Sequence, residues 1–123
     1  AELLARLRAL LRRIKPTEVA DRVVFGAIEV DLVRRTVRKA SQPVKLTAKE
    51  YALLHLLVTH RGRVVTHRQI LSEVWGPQLA GQTHYLRVFM MRLRRKIEDE
   101  VDAPKHLQTE SGIGYRLVTG DTA

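Results

Sequence analysis

The sequence predicts an α+β domain, on three observations. Short segments alternating apolar and polar residues occupy the stretch from Val23 to Leu46, and longer segments with helical periodicity follow. Two more short alternating segments flank Ser111-Gly-Ile-Gly114 near the end. Strands and helices are therefore segregated along the chain, which separates α+β from the alternating α/β class.

Residues 23–25, 28–32, 36–39 and 44–46 read as strands, with breaks at Gly26, Arg34 to Arg35, and Ser41 to Pro43. Connections this short make neighbouring strands antiparallel, giving a four-stranded meander. Thr47-Ala-Lys-Glu50 has the form of a capping box, and Leu46 and Tyr51 sit at the spacing of a hydrophobic staple. The helix that starts there carries Leu53, Leu54, Leu56, Leu57 and Val58 and ends near Gly62. Thr66-His-Arg-Gln69 repeats the device with Val65 and Ile70 as its staple. That second helix stops at Trp75-Gly76-Pro77, and a loop over 78–82 leads to a third helix over 83–98. Beyond Pro104, residues 106–109 and 115–118 form the two arms of a closing hairpin.

Ahead of the meander, Leu3, Leu4, Leu7, Leu10, Leu11 and Ile14 repeat at the spacing of an amphipathic helix, with arginines between them and Pro16 ending it. A leucine stripe of this length wants a protein partner, so residues 1–15 are expected to belong to an upstream domain. A cationic helix lying on a membrane surface is the competing reading. The expected division is 1–15 helix, 16–22 linker, 23–119 the α+β domain and 120–123 a tail.

Charge narrows the partners. Lys and Arg number 22 against 13 Asp and Glu, a formal charge of +9, and a small domain this basic attracts nucleic acid or an anionic surface. Without cysteine there is no disulfide, thiol nucleophile or thiolate metal site. The five histidines show no ligand spacing and no nucleophile–base constellation emerges, so neither a metal, a cofactor nor catalysis is expected. No apolar run approaches the ~20 residues of a membrane span, and a cytoplasmic protein is expected.

The third helix carries the binding chemistry. At 100° per residue, Leu86, Phe89, Met90, Leu93 and Ile97 share one face, which must be buried. The opposite face holds His84, Arg87, Met91, Arg94 and Arg95, with Val88 and Arg92 beside it. Arginines one and two turns apart suit paired acceptors on guanine, and Val or Met meets a thymine methyl. A merely solvated face is the plainer alternative. Against it, Glu98 is the first acidic residue of the helix, so intrahelical pairing does not offset the like charges, which repel by a few tenths of a kcal/mol per pair.

These blocks, LTAKEYALLHLLVTHRGRVVTHRQILSEVWG, HYLRVFMMRLRRKIE and TESGIGYRL, resemble the winged helix-turn-helix output domain of OmpR/PhoB-type two-component response regulators over residues 23–118. The second block and GIGYR look closest to regulators of high-affinity potassium-transport operons. The resemblance makes 83–98 a recognition helix for the major groove, with Arg87, Val88, Met91 and Arg94 facing bases. It puts Arg92 and Arg95 at the backbone or groove edge; His84, like His67, reads either as a phosphate contact or as a merely solvent-exposed side chain. Thr66, His67 and Arg68 fall near phosphates, where helix N-terminal amides favour an anion. The hairpin becomes the wing, with Thr109, Tyr115 and Arg116 on the DNA backbone. Ser111 stands where some relatives carry an arginine for the minor groove. Trp75 reads either as a core residue capping the second helix or as a phosphate contact. The resemblance further implies promoter DNA bound by a dimer on repeated half-sites, RNA polymerase contact through residues 76–82, and a missing receiver domain served by a sensor kinase.

Two further signals have plain readings. Gly112-Ile-Gly114 is followed by a strand and not a helix, so it is a hairpin turn rather than a phosphate loop. Glu98, Asp99, Glu100 and Asp102 read as a solvated face turned away from DNA. A module that docks an acidic protein, with only incidental affinity for DNA, is the alternative function.

Overall fold

A computed structural model describes residues 22–119. The stretch 1–15 and residues 16–21 of its expected linker therefore lie outside the described residues, whereas Arg22, expected in the linker, begins the first strand. Four strands, β1 (Arg22–Phe25), β2 (Ile28–Asp31), β3 (Thr36–Lys39) and β4 (Gln42–Val44), form an antiparallel meander in that order. The period-2 pattern puts Val23, Phe25, Ile28, Val30 and Val37 on the inner face. In the β2–β3 turn, Asp31 Oδ1 accepts from the amides of Val33 and Arg34 at 3.1 and 3.0 Å.

The expected fourth strand, 44–46, moves two residues upstream. Ala40 and Ser41 both have positive φ, 50° and 67°, so the β3–β4 turn has only two residues and Lys39 pairs with Gln42. Pro43, expected in a break, lies inside β4, which tolerates a missing N–H because it is an edge strand.

Helix α1 (Ala48–Thr59) begins with the full capping box: Thr47 Oγ1 accepts from the Glu50 amide at 3.2 Å, and Glu50 Oε1 from the Thr47 amide at 2.9 Å. β5 (Val64–Thr66) has no counterpart in the sequence reading, because three residues are too few to show a period. α2 (His67–Val74) follows with Thr66 as N-cap, accepting from the Gln69 amide at 3.1 Å. Its box is only half made, since Gln69 donates to Glu73 instead. A short 3₁₀ turn at Pro77–Leu79 leads into α3 (Thr83–Ile97). β6 (Leu107–Glu110) and β7 (Gly114–Leu117) are the closing hairpin, and β5 joins them in a second sheet of order β5-β7-β6.

The core lies between the meander, the three helices and the second sheet, around Phe25, Leu53, Leu57, Ile70, Leu86, Met90 and Leu93. A polar pair crosses its rim. Glu50 is almost fully buried, and Lys96 of α3 reaches its Oε1 at 2.6 Å while also donating to the Lys45 carbonyl at 2.9 Å. Burial pushes the Glu50 carboxyl up, but the Lys96 and Thr47 hydrogen bonds and the Lys96 charge outweigh it and hold it below its ordinary value. Its stabilisation is thus complete above the ordinary carboxylate value of 4.5 and is lost as pH falls through the depressed one. Lys96→Ala is expected to cost about 1–3 kcal/mol at neutral pH by leaving a buried carboxylate short of a partner. The difference from the parent should shrink as pH falls below 4.5, which thermal melts across pH would measure. An unchanging difference would sink the assignment.

Candidate nucleic-acid interface

The interface is built on α3, whose apolar face is consumed by the core. Leu86, Met90, Leu93 and Ile97 are buried and Phe89 is half-buried. What remains outside is a stripe of basic and apolar side chains. His84, Arg87, Val88, Met91, Arg92 and Arg95 are all exposed, and Val88 and Met91 keep 39% and 44% of their surface open. Among the described residues no carboxylate forms a salt bridge with Arg87, Arg92 or Arg95. Arg92 instead rests on the Phe89 ring, 5.2 Å from its centroid. A helix face with uncompensated cations beside exposed apolar groups can meet phosphates, base edges and methyl groups together.

Arg94 departs from that stripe. It is half-buried, and its guanidinium donates to the Leu107 carbonyl through Nε at 3.0 Å and Nη2 at 2.7 Å, and from Nη2 to Thr109 Oγ1 at 2.7 Å. It also lies over the Tyr115 ring at 5.6 Å. Burial lowers its proton affinity while Tyr115 and Glu98 act the other way, and an arginine still remains charged. With three of its five N–H donors, those of Nε and Nη2, committed to the wing, Arg94 is held half-buried against β6 and is not the free outer-face side chain that was expected. Sequence position alone put it on the outer face; the wing that covers it comes from thirteen and fifteen residues later.

α2 contributes its first turn. Thr66 and Arg68 are exposed, and the His67 ring packs edge-on against Tyr115 with centroids 5.5 Å apart. The His67 amide donates to the Ile113 carbonyl at 3.1 Å, tying the wing tip to the start of α2. Trp75 caps the far end of α2. It is half-buried and packs against Tyr85 at 5.3 Å and Phe89 at 4.9 Å, which favours the core reading over the phosphate contact.

The wing is less available than expected. Thr109 and Ser111 are exposed. Tyr115 is only 3% exposed and belongs to the core, where burial raises its pKa while the Arg94 and Arg87 charges act in the other direction. Arg116 is half-buried and ion-paired with Glu110 across the hairpin. In a strand, alternate residues face opposite sides, and the side that Tyr115 occupies is the inner one.

Glu98 is the largest surprise of the region. Expected on a solvated face, it is 4% exposed. Its Oε1 accepts from the Lys105 amide at 2.8 Å, and its Oε2 from the amides of His106 at 3.0 Å and Leu107 at 2.7 Å. One signal was present in the sequence: a carboxylate at a helix C-terminus opposes the dipole and needs another source of stabilisation. Asp99 pairs with Lys39 at 3.1 Å, whereas Glu100 and Asp102 are exposed as expected.

Comparison with known proteins agrees with this architecture. The family profile described as "Transcriptional regulatory protein, C terminal" matches residues 41–117. The chain is 44% identical over 118 residues to the KDP operon transcriptional regulatory protein KdpE of Escherichia coli, covering 95% of this chain and 52% of that protein. It is 46% identical over 118 residues to KdpE of Mycobacterium tuberculosis, covering 94% and 52% respectively. The chain thus spans about half the length of these relatives. Among solved structures, the Klebsiella pneumoniae RstA DNA-binding domain in complex with the RstA box aligns with a TM-score of 0.72 at 26% identity, covering 80% of this chain and 97% of that one. The DNA-binding domain of CpxR from E. coli aligns with a TM-score of 0.68 at 31% identity, covering 80% and 96%. The two KdpE relatives are transcriptional regulatory proteins, and the RstA and CpxR structures are DNA-binding domains. The chain belongs to the C-terminal family of transcriptional regulatory proteins, the winged-helix DNA-binding domains of OmpR/PhoB-type response regulators.

Proposed function

We propose that this domain binds promoter DNA sequence-specifically, with α3 in the major groove and the wing on the backbone. The observation that carries the reading is the outer stripe of α3, where Arg87, Arg92 and Arg95 lack carboxylate partners among the described residues and Val88 and Met91 are exposed between them. Arg87, Val88 and Met91 meet base edges. His84, Arg92, Arg95, Thr66, Arg68 and Thr109 contact the backbone. His67, Tyr115 and Arg116 support the wing from behind, and Trp75 braces α2 against α3. The resemblance to KdpE proteins favours a potassium-transport operon as target.

In the full protein, residues 1–15 are the end of a receiver domain controlled by a sensor kinase, and the regulator works in the cytoplasm as a dimer on repeated half-sites. Residues 76–82 contact RNA polymerase. The overlap of this chain with both KdpE proteins supports the two-part architecture.

Selection of bound sequences from a random duplex pool tests the reading and is expected to return a repeated half-site. Recovery of no preferred sequence would favour the protein-docking alternative. Arg87→Ala should cost about 1–3 kcal/mol and relax preference at one position of each half-site. Arg68→Ala should weaken binding to all sequences and reduce the salt slope by about one. The two signatures, measured by competition titration across salt, keep base and phosphate contacts apart.

A further inference from the structure

β6 is the outer strand of its sheet, and its pairing with β7 is confined to one edge. Among the described residues no strand meets the groups on its other edge, a condition that usually exposes them to water or a foreign strand. Here α3 fills the place. The Leu107 amide donates to Glu98 Oε2, and the Leu107 carbonyl accepts twice from Arg94. Arg94 lies in the last turn of α3 and Glu98 is its C-cap residue, so both the carbonyl and the amide of a single wing residue are held by side chains at the end of the recognition helix. Glu98 adds the amides of Lys105 and His106, and its own carbonyl accepts from Lys39 of β3 at 3.2 Å. Helix, wing root and meander therefore converge on the last turn of α3.

The Arg94 contact to Thr109 extends this grip toward the surface. Thr109 Oγ1 accepts from Arg94, which leaves the hydroxyl proton of this exposed residue available to another acceptor. A phosphate oxygen is the acceptor that the proposed DNA complex offers.

We infer that Arg94 and Glu98 are positioning residues that set the wing at a fixed distance and angle from the recognition helix, so that groove and backbone contacts are made in one docking event. The inference rests on the DNA-binding reading for its functional consequence, and on the hydrogen bonds alone for the coupling itself. Arg94→Ala detaches one side of the clamp. Glu98→Gln removes the charge and turns an amide NH₂ toward an amide donor on the other side.

Two measurements on the folded chain test it. Hydrogen exchange without DNA should show the wing amides of residues 107–117 exchanging about tenfold faster in both variants, while the α1 amides of residues 53–58 keep the parent rate. Unchanged wing exchange in Arg94→Ala overturns the coupling. With the selected duplex, both variants should bind more weakly, with a salt slope lowered by more than the single unit of one lost phosphate contact, and with base preference intact at every position. A reader of bases predicts the reverse for Arg94→Ala: preference lost at one position, and no parallel effect from Glu98→Gln. A role in stability alone would lower the folded fraction and leave the slope of the folded protein where it was, which also overturns the inference. If the parent chain itself selects no sequence, the DNA reading fails, and the exchange experiment still decides the clamp.

Discussion

Gly114→Ala is expected to lower the melting temperature by on the order of 10–20 °C and to abolish tight DNA binding. Gly114 opens β7 and pairs with Thr66 of β5. A Cβ at this position would overlap the Val65 carbonyl oxygen and stand 2.8 Å from Thr66 Cα, and both are backbone atoms that no rotamer change can move aside. The strands must separate, at a cost of about 2–3 kcal/mol or more by the usual scale of overpacking, which in a domain of this size is several degrees per kcal/mol. The separation falls where the Ile113 carbonyl meets the His67 amide, so wing and α2 lose their common anchor. Gly112→Ala supplies the contrast. Gly112 has φ +76° but nothing among the described residues within 4 Å of its would-be Cβ, and its substitution should cost only about 1 kcal/mol of backbone strain. Circular dichroism melts of the two variants separate the cases, and equal losses would refute the crowding account.

Glu98→Ala should be comparably damaging, by a different mechanism. Three backbone amides, those of Lys105, His106 and Leu107, would lose their acceptor in a site that is closed to solvent at Leu107. Unsatisfied buried donors cost about 1–3 kcal/mol each, discounted where water can enter, so a total of about 3–5 kcal/mol is expected. Set against a typical domain stability of about 5–15 kcal/mol, that leaves a marginal fold. Denaturant unfolding of Glu98→Ala beside Asp99→Ala would measure it. Asp99 is exposed and its pair with Lys39 is at the surface, where such pairs are worth about 0–1 kcal/mol. A Glu98 variant no weaker than the Asp99 variant would mean that the amides find other partners.

Much of the site was legible in the sequence because it depends on local periodicity. The 3.6-residue repeat of α3 identifies Leu86, Met90, Leu93 and Ile97 as buried and Arg87, Val88, Met91 and Arg95 as exposed, and the structure agrees at each. The Thr47 capping box is equally local, since donor and acceptor are three residues apart. Where a second segment comes to lie against the helix, the same periodicity misleads. Arg94 and Glu98 both read as solvent-facing, yet one holds Leu107 and Thr109 and the other receives three amides from the wing root.

The α+β class, the three helices and the cationic outer stripe of α3 are legible in the sequence, because each follows from the order of apolar and polar residues within one element. Long-range packing alone reveals that β5 joins the wing as a third strand, that Tyr115 faces the core, that Gly114 is required for space rather than for a turn, and that Arg94 and the C-cap residue Glu98 belong to the wing as much as to α3. The physical reason is common to all four. A strand edge leaves hydrogen-bonding groups and a surface that some other segment must satisfy, and local pattern does not record which segment arrives.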